Sequence, residues 1–320
     1  QHQDRQISGI QAVMNAKRKS IWIVYLSVLF LIAAIIAIAM VRSLRAPPTV
    51  RGMVRTSGIE KPADIIRFKG KFDCTELKNN RLAIFDDFRF QRVDYFDPQA
   101  IGRRFSSPHF MTVSPFNTLL ISNGWGNSIV EITDLDGRGW RVFKGAGERH
   151  FHAPHGIAVD RDKGWIYVGD SLNSRIVRFK NMQGDHWEVF KDHEKKIAYS
   201  RQLVFKFGAL WISNSYEELK GLNPGVGANV LRIDDFASGL VKEVYRAEGS
   251  NITGICPLKD HLIIALWSGG NQLVAKEFKN GQSTIIEGSN NRLKTPYGIY
   301  EHTMDGKLVA AYFGDFKDNN

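Results

Sequence analysis

Three observations in the sequence predict an all-β fold. First, beyond residue 62 the apolar residues occur in short runs rich in Val, Ile, Phe, Tyr and Trp, without a long 3.6-residue period. Second, Gly, Asp, Asn and Ser separate these runs at the positions where turns are expected. Third, a unit of about 47 residues recurs along the chain. Four short strands in each repeated unit are typical of a β-propeller.

The repeat is clearest in two consecutive copies. Ser-Pro-His-Phe-Met-Thr-Val begins at Ser107, and Ala-Pro-His-Gly-Ile-Ala-Val begins at Ala153. A third clear copy, Thr-Pro-Tyr-Gly-Ile, begins at Thr295. Weaker copies, recognised by their strand runs, cover 72–96, 202–233 and 253–275. We therefore predict a six-bladed β-propeller over residues 63–320.

Closure of the ring needs a further strand, because the last copy supplies only two and an open blade would leave unpaired strand edges. Residues 65–70, Ile-Ile-Arg-Phe-Lys-Gly, resemble the fourth strand at 140–145 of a later copy. We expect one or two N-terminal strands around residues 50–70 to complete the C-terminal blade.

One N-terminal transmembrane α-helix is predicted over residues 21–41. This stretch contains no charged residue and as a helix would span about 30 Å, the thickness of the hydrocarbon core. A cleaved signal peptide is the alternative, since Ala-Ile-Ala at 37–39 resembles a cleavage site, but the apolar run is long for that. Residues 1–20 form a short polar and basic tail, and 42–62 form a linker containing Ala-Pro-Pro.

The distribution of charge sets the expected partners and location. The first 60 residues carry eight Lys or Arg against two acidic residues, so most of the net charge of +10 flanks the apolar stretch. The remaining chain is too nearly balanced for a nucleic-acid-binding surface. Lys17, Arg18 and Lys19 lie closest to the span, which favours a cytoplasmic N-terminus. The propeller would then be extracytoplasmic, in a periplasmic, lumenal or extracellular space, with residues 21–41 in the lipid bilayer.

Residues 154–160, Pro-His-Gly-Ile-Ala-Val-Asp, and 165–179, Trp-Ile-Tyr-Val-Gly-Asp-Ser-Leu-Asn-Ser-Arg-Ile-Val-Arg-Phe, together resemble an NHL repeat. Within that superfamily the local likeness is to the propeller lyase that cleaves peptidyl-α-hydroxyglycine. More loosely, the chain is similar to the paraoxonase, gluconolactonase and strictosidine-synthase-like propellers. In the lyase that it resembles, histidines at Pro-His positions bind zinc, so the resemblance implies His109 and His155 as zinc ligands. Tyr297 occupies the matching position of the sixth copy.

Propeller geometry is expected to collect polar side chains at one opening of the central channel. In antiparallel blades, the start of strand one and the end of strand two lie at the same face. The residues expected at this channel mouth are Asp86, Asn123, Asp170, Gln202, Asn214, Tyr297 and Asp315. Asp170 could complete a zinc site with the two histidines, and Asp and Asn oxygens could bind calcium instead. The structural alternative is that the acids and amides cap turns and the histidines line the channel.

Two functions follow from this pattern. The first is a membrane-anchored binding or scaffolding module, a subunit or accessory of a membrane-associated complex, with protein partners in or near the membrane. The second is a metal-dependent hydrolase or lyase with its site at the channel mouth. The sequence leaves open whether the protein is an enzyme, and it contains no Gly-x-Ser-x-Gly, Walker or His-Glu-x-x-His motif.

Overall fold

A computed structural model describes residues 58–88, 91–147, 149–215, 228–267, 271–287, 295–302 and 307–312. The chain divides into two units, 1–47 and 48–320, and all of these ranges belong to the second. The predicted tail, membrane span and most of the linker lie outside them. Within the described ranges, no helix has the length and apolar character needed to cross a membrane.

The described residues form antiparallel sheets in which each strand pairs with the next along the chain. The first strands of the six sheets are β1 Pro62–Phe68, β5 Pro108–Val113, β11 Pro154–Asp160, β15 Tyr199–Lys206, β19 Asn251–Pro257 and β23 Pro296–His302. The second strands are β2 Lys71–Glu76, β6 Leu119–Asn123, β12 Trp165–Asp170, β16 Ala209–Ser215, β20 His261–Trp267 and β24 Lys307–Tyr312. The third strands are β3 Arg81–Phe85, β7 Ser128–Ile132, β13 Arg175–Phe179, β17 Asn229–Ile233 and β21 Gln272–Glu277. The fourth are β4 Val93–Phe96, β8 Arg141–Phe143, β14 Glu188–Val189, β18 Lys242–Arg246 and β22 Ser283–Glu287.

The first strands contact one another in a closed ring, in the order β1, β5, β11, β15, β19, β23 and back to β1. This arrangement is a β-propeller, as the repeat predicted. Among the described residues five blades have all four strands, and the sheet β23–β24 between blades 5 and 1 has two. A separate two-stranded hairpin, β9 Gly145–Ala146 with β10 Arg149–His150, lies in the loop that leads into blade 3.

The predicted role of residues 65–70 as the closing strand of the C-terminal blade is wrong. These residues lie in β1 and the turn after it, and β1 is the first strand of blade 1, where Ile65 pairs with Cys74 of β2. Strand β1 contacts β23 and β24 as a neighbouring sheet, without joining their hydrogen-bond ladder. Alternating apolar residues occur in inner and outer strands alike, so the resemblance to a fourth strand did not distinguish them.

Apolar side chains pack between adjacent blades and hold the ring together. Between blades 1 and 2, for example, Phe68 and Leu82 pack with Met111, Leu119 and Ile121, and all five are buried. Because each blade buries one face against the blade before it and the other against the blade after it, its strands are apolar on both faces. The core is therefore a series of interfaces arranged around the channel.

Each first strand has a register irregularity close to its start. Beyond the irregularity, side chains of one first strand accept hydrogen bonds from backbone N–H groups of the next. Asp64 Oδ2 accepts a hydrogen bond from Met111 N of blade 2 at 2.8 Å, and Gln202 Oε1 accepts one from Ile255 N of blade 5 at 2.8 Å. Burial raises the pKa of Asp64 to about 8, although N–H groups of Met111 and Ile65 favour its ionised form. The channel lining thus joins neighbouring blades through polar contacts.

Asparagine side chains also connect one blade to the next. Asn80, Asn127 and Asn271 each have positive φ, a conformation that asparagine tolerates well. Their Oδ1 atoms accept hydrogen bonds from the backbone N of Ser107, Ala153 and Thr295, at 2.6, 2.9 and 3.2 Å respectively. Each acceptor belongs to one blade, and each donor lies directly before the first strand of the following blade. We refer to these three contacts as the asparagine hooks.

Asp73 of β2 is the least expected residue of the core. It is fully buried, its strand partners are Ile66 and Ile84, and neither carboxyl oxygen has a hydrogen-bond partner within the described part of the chain. Burial raises the pKa of this carboxyl to about 8. In the folded chain the protonated form of Asp73 is therefore favoured at neutral pH.

Replacing Asp73 with asparagine should remove a pH-dependent loss of stability. Because the pKa of Asp73 is raised in the folded state, the free energy of unfolding is highest below about pH 4, where the carboxyl is protonated in both states. It falls as the pH rises through about 8. We expect the stability of Asp73→Asn to match that of the unsubstituted chain at about pH 4 and to exceed it by several kcal/mol, up to about 5 kcal/mol, at about pH 9. Urea unfolding across this range measures the difference. The control is Asp86→Asn, an exposed carboxylate of the same blade, and parallel curves for Asp73→Asn and the unsubstituted chain would contradict the argument.

Candidate functional site

The strand pairing identifies which face of the propeller carries the predicted site. Pro108 at the start of one first strand pairs with Asn123 at the end of its second strand, and Pro154 pairs likewise with Asp170. We call this the mouth face. It also carries the turns between strands two and three and the loops that lead from one blade to the next. The turns between strands one and two, and between three and four, lie on the opposite face.

His109 and His155 lie side by side at the channel mouth, as their shared Pro-His motif predicted. Their ring centroids are 3.9 Å apart with the ring planes inclined by 48°. His109 Nδ1 is 2.8 Å from the carbonyl oxygen of Ser107, and His155 Nδ1 is 2.9 Å from that of Ala153. A carbonyl oxygen can only accept, so both Nδ1 atoms carry the proton and both Nε2 atoms present a lone pair.

The two imidazoles are buried and uncharged. His109 is 6% exposed and His155 is 3% exposed. Burial lowers the pKa of His109 to about 3, with a further contribution from the charge of Arg201. Burial, followed by the proximity of His109 and of Arg201, lowers the pKa of His155 well below its ordinary value. Both rings are therefore neutral near neutral pH: Nδ1 donates to a carbonyl oxygen, and Nε2 can accept a hydrogen bond.

Arg201 supplies the positive charge of the mouth, and the sequence prediction missed it. It is only 4% exposed, and its Nη1 donates a hydrogen bond to Tyr297 Oη at 2.7 Å. Its guanidinium carbon lies 5.2, 5.1 and 5.6 Å from the ring centroids of Tyr199, Trp267 and Tyr297, within the range of cation–π contacts. Tyr199 Oη also lies 3.0 Å from Nε2 of His155. Aromatic rings from three sheets thus enclose one guanidinium and one imidazole.

Gln202 was predicted at the mouth but lies one residue further along the first strand than the histidine position. Ser200 pairs with Asn214 as Pro154 pairs with Asp170, so Arg201 is the counterpart of His155. The Gln202 side chain instead points across the channel, where its Nε2 donates to the carbonyl oxygen of Ile299 at 3.1 Å. Aligning Leu203 with Ile157, the residues that resume regular pairing, would have identified Arg201.

Asp170, the predicted third metal ligand, lies at the end of β12 as expected but uses both carboxylate oxygens in structural contacts. Oδ1 accepts a hydrogen bond from His152 N at 2.7 Å, and Oδ2 accepts bonds from Asn173 Nδ2 at 2.8 Å and Arg175 Nε at 2.7 Å. The carboxylate is fully buried. Asp170 therefore holds the loop that leads into its own blade, which is the turn-capping role considered above.

Asn123 and Asn214 play the same part in blades 2 and 4. Oδ1 of Asn123 accepts a hydrogen bond from Ser106 N at 2.6 Å, and Oδ1 of Asn214 accepts one from Ala198 N at 2.9 Å. Both side chains are buried at the ends of their second strands. The polar residues predicted to form a ring at the mouth are present in these blades, but their side chains are committed to the loops beside them.

The prediction that Asp86 lies at the mouth is wrong. Residues 82–85 belong to the third strand of blade 1, so Asp86 follows that strand on the opposite face, where it is exposed and pairs with Lys71. Glu76 ends the second strand instead, and its buried carboxylate is 2.8 Å from Arg81 Nε. The error arose because blade 1 begins with Pro-Ala-Asp at Pro62, without the Pro-His or Pro-Tyr dipeptide of its neighbours.

Asp315, the last predicted mouth residue, lies outside the described residues, and so does any contact that it makes. Within the described ranges no group of three or more His, Cys, Asp and Glu side chains is arranged to bind a metal ion. The set His109, His155 and Asp170 does not fit zinc or calcium in this arrangement, because Asp170 is engaged elsewhere and Arg201 places a positive charge beside the imidazoles.

A turn in blade 2 displays an exposed aromatic side chain on this face. Trp125 lies between Gly124 and Gly126 and is 63% exposed. Gly124 packs against His109, since a Cβ at 124 would lie 2.9 Å from His109 Nδ1. Gly126 N donates to the carbonyl oxygen of Ser106 at 3.2 Å, which fixes the turn to the loop before blade 2. The indole is therefore displayed to solvent on a rigid support next to the channel.

Comparison with known proteins agrees with this architecture. Residues 151–179 match the family model of the NHL repeat. The chain is similar to a chain of a nidogen/laminin complex, with 13% identity and a TM-score of 0.59 over 80% of this chain and 87% of that one. It is similar to virginiamycin B lyase from Staphylococcus aureus, crystallised with quinupristin, with 17% identity and a TM-score of 0.55 over 82% and 88%. It is also similar to Kuenenia stuttgartiensis hydrazine synthase, with 15% identity and a TM-score of 0.55 over 82% and 76%.

These identities establish a shared fold and no more, and a search of the curated proteins by sequence found no match. The matched repeat comprises β11 to β13 and the loop before them, the same residues that place His155 and Asp170 at the mouth face. The chain is a β-propeller protein that carries an NHL repeat in its third blade.

Proposed function

We propose that this protein is a binding module, anchored to a membrane by residues 21–41, that docks a protein partner on the mouth face of its propeller. It would serve as a subunit or accessory of a membrane-associated complex. The observation that carries the proposal is the exposed Trp125 on its fixed turn. Large aromatic side chains on rigid supports contribute disproportionately to protein–protein affinity, because they bury much area and lose little conformational entropy on binding.

The state of the channel mouth supports this choice over catalysis. The histidines are buried against each other and against Tyr199, and Asp170 is held in a network with Arg175. A reaction centre needs groups that can reach a substrate, whereas these groups satisfy one another. One chain with the same fold comes from the nidogen/laminin complex, a protein–protein assembly.

Site-specific photo-crosslinking tests the proposal. We expect a photo-crosslinking amino acid in place of Trp125 to capture a discrete protein partner in membranes from cells that express the full chain. The matched control is the same amino acid in place of Phe116, which is 67% exposed and lies in the same blade on the opposite face. Equal capture from both positions, or capture from position 116 alone, would count against docking on the mouth face.

The alternative is a metal-dependent hydrolase or lyase. Two observations favour it as the second candidate: both Nδ1 atoms are fixed by carbonyl oxygens, which leaves each Nε2 as a potential ligand atom, and the chain shares its fold with virginiamycin B lyase. Further ligands would have to come from residues beyond the described ranges, such as Asp315. Stoichiometric zinc or calcium in the purified chain, lost in the double variant His109→Ala/His155→Ala, would favour this candidate.

A further inference from the structure

The turn that carries Trp125 is joined on both sides to loops with exposed basic residues. On one side, the turn is hydrogen-bonded to Ser106, which follows the exposed pair Arg103 and Arg104 in the loop before blade 2. On the other side, Asn127 at the end of the turn accepts a hydrogen bond from Ala153 N at 2.9 Å. Ala153 ends the loop that carries the exposed residues Arg149, His150 and His152.

Both loops are fixed in place. Phe105, directly after Arg104, is 3% exposed and packs its ring 5.1 Å from that of Trp140. Arg149 and His150 form the strand β10, and the carbonyl oxygen of His150 accepts hydrogen bonds from Asn173 Nδ2 at 3.2 Å and Arg175 Nη2 at 3.1 Å. The backbone that carries these basic side chains is therefore fixed, which limits the entropy lost when a partner binds.

From these contacts we infer that Arg103, Arg104, Trp125, Arg149 and His150 form one docking surface for an acidic protein segment that carries an apolar side chain. We call it the blade 2–3 rim. Carboxylates of the segment would pair with the guanidinium groups, which bind carboxylates in bidentate geometry, while its apolar side chain would pack on the exposed indole. This inference rests on the proposed function, because it specifies the chemistry of the partner that is proposed to dock on the mouth face.

Charge complementarity selects an acidic partner. The two loops, 97–107 and 144–153, contain four basic residues, Arg103, Arg104, Lys144 and Arg149, against two acidic residues, Asp97 and Glu148, and therefore keep a positive balance. Asp97 is committed as an N-cap, since its Oδ1 accepts a hydrogen bond from Gln99 N at 2.9 Å. The aspartates Asp134, Asp136 and Asp234 lie in turns of the opposite face, and each is paired with a basic residue there. Long-range attraction of an acidic segment is therefore expected at the blade 2–3 rim.

Peptide binding to the full chain tests the inference. The probe is a fluorescein-labelled peptide of Glu, Asp and Gly with one central Phe, about 12 residues long so that it spans about 40 Å when extended. We expect it to bind with an affinity that falls as salt is added. An isosteric peptide with Gln and Asn in place of Glu and Asp should bind at least about tenfold more weakly.

Two variants locate the binding. Trp125→Ala should weaken binding by about tenfold or more, and the double variant Arg103→Glu/Arg104→Glu should do the same. The controls lie on the opposite face: Phe116→Ala for the aromatic, and Lys259→Glu/Lys279→Glu for the two charges, all of which are exposed positions. The controls should bind the acidic peptide as the unsubstituted chain does. An unchanged thermal transition in every variant verifies that the fold is intact.

Three outcomes would overturn the inference. The acidic peptide fails to bind, or it binds equally to the chains with and without the rim substitutions. Alternatively, vesicles containing anionic phosphatidylglycerol, or single-stranded RNA, bind in a rim-dependent manner when the acidic peptide does not. If crosslinking from position 125 nevertheless captures a protein, the proposed function stands and only the assigned chemistry fails. If the acidic peptide binds at the rim but crosslinking captures nothing, the proposed function fails.

Discussion

Replacing Gly254 with alanine is expected to destabilise the propeller by about 3 kcal/mol or more, among the largest effects of any single methyl group in this chain. Gly254 lies in β19 where this first strand meets β23, and a Cβ there would collide with the backbone carbonyl oxygen of Tyr297. A carbonyl group held in a neighbouring sheet cannot rotate away as a side chain can. Relief would require the two first strands to separate, and the channel lining would separate with them.

Urea unfolding measures the effect, and Gly164→Ala is the matched control. Gly164 lies in the turn between strands one and two of blade 3 with φ of +67°, and a Cβ there would meet no atom within 4 Å. The Gly164→Ala variant should lose about 1 kcal/mol of unfolding free energy, because positive φ is unfavourable for alanine. A loss at Gly254 no greater than that at Gly164 would mean that the first strands are free to adjust, and the close approach would then be unimportant.

The second large effect is expected for Asp170→Ala, which should cost about 3 kcal/mol. The substitution leaves the backbone N of His152 without its acceptor and removes the partner of Arg175. Because Asp170 is fully buried, water cannot replace it without opening the loop. The comparison variant is Glu188→Ala in the same blade, whose carboxylate pairs with Arg178 while 46% exposed, and this change should cost at most about 0.5 kcal/mol.

The same variant separates a structural Asp170 from a metal ligand. A structural role predicts the same loss of stability in zinc, in calcium and in a chelator. A ligand role predicts that added ion stabilises the unsubstituted chain and has no such effect on Asp170→Ala. The second result would revive the metal-dependent alternative and would require the contacts of Asp170 with Asn173 and Arg175 to rearrange.

The repeat in the sequence was sufficient to predict the propeller and the pairing of His109 with His155. Both residues follow a proline at the start of a first strand, and equivalent positions on adjacent blades must be neighbours at the channel. The same method failed in blade 1, where Ala63 stands in the histidine position, and the strands were consequently assigned one place too late. This shift in the strand assignment alone explains why Asp86 was predicted on the wrong face.

Arg201 was missed because the repeat was aligned one residue out of register in blade 4, and a one-residue offset reverses the direction of a side chain in a strand. The register irregularity near the start of β15 hides the offset, and Gln202 is as polar as the residue that precedes it. The sequence also could not predict that the side chains at the mouth are buried. Their burial depends on Tyr199, Trp267 and Tyr297, which lie far apart in the sequence and meet only because the ring brings their blades together.

The asparagine hooks have a consequence for how such a ring can change over evolutionary time. Each hook places the acceptor in one repeat and the donor in the next, so the self-sufficient unit of inheritance is shifted along the chain relative to the blade. A duplicated or transplanted blade that arrives without its predecessor's asparagine leaves an N–H unpaired at its own start, as at Ala153 if Asn127 were left behind. Repeats should therefore have been gained and exchanged with breakpoints ahead of these asparagines, in the strands, rather than in the loops between blades.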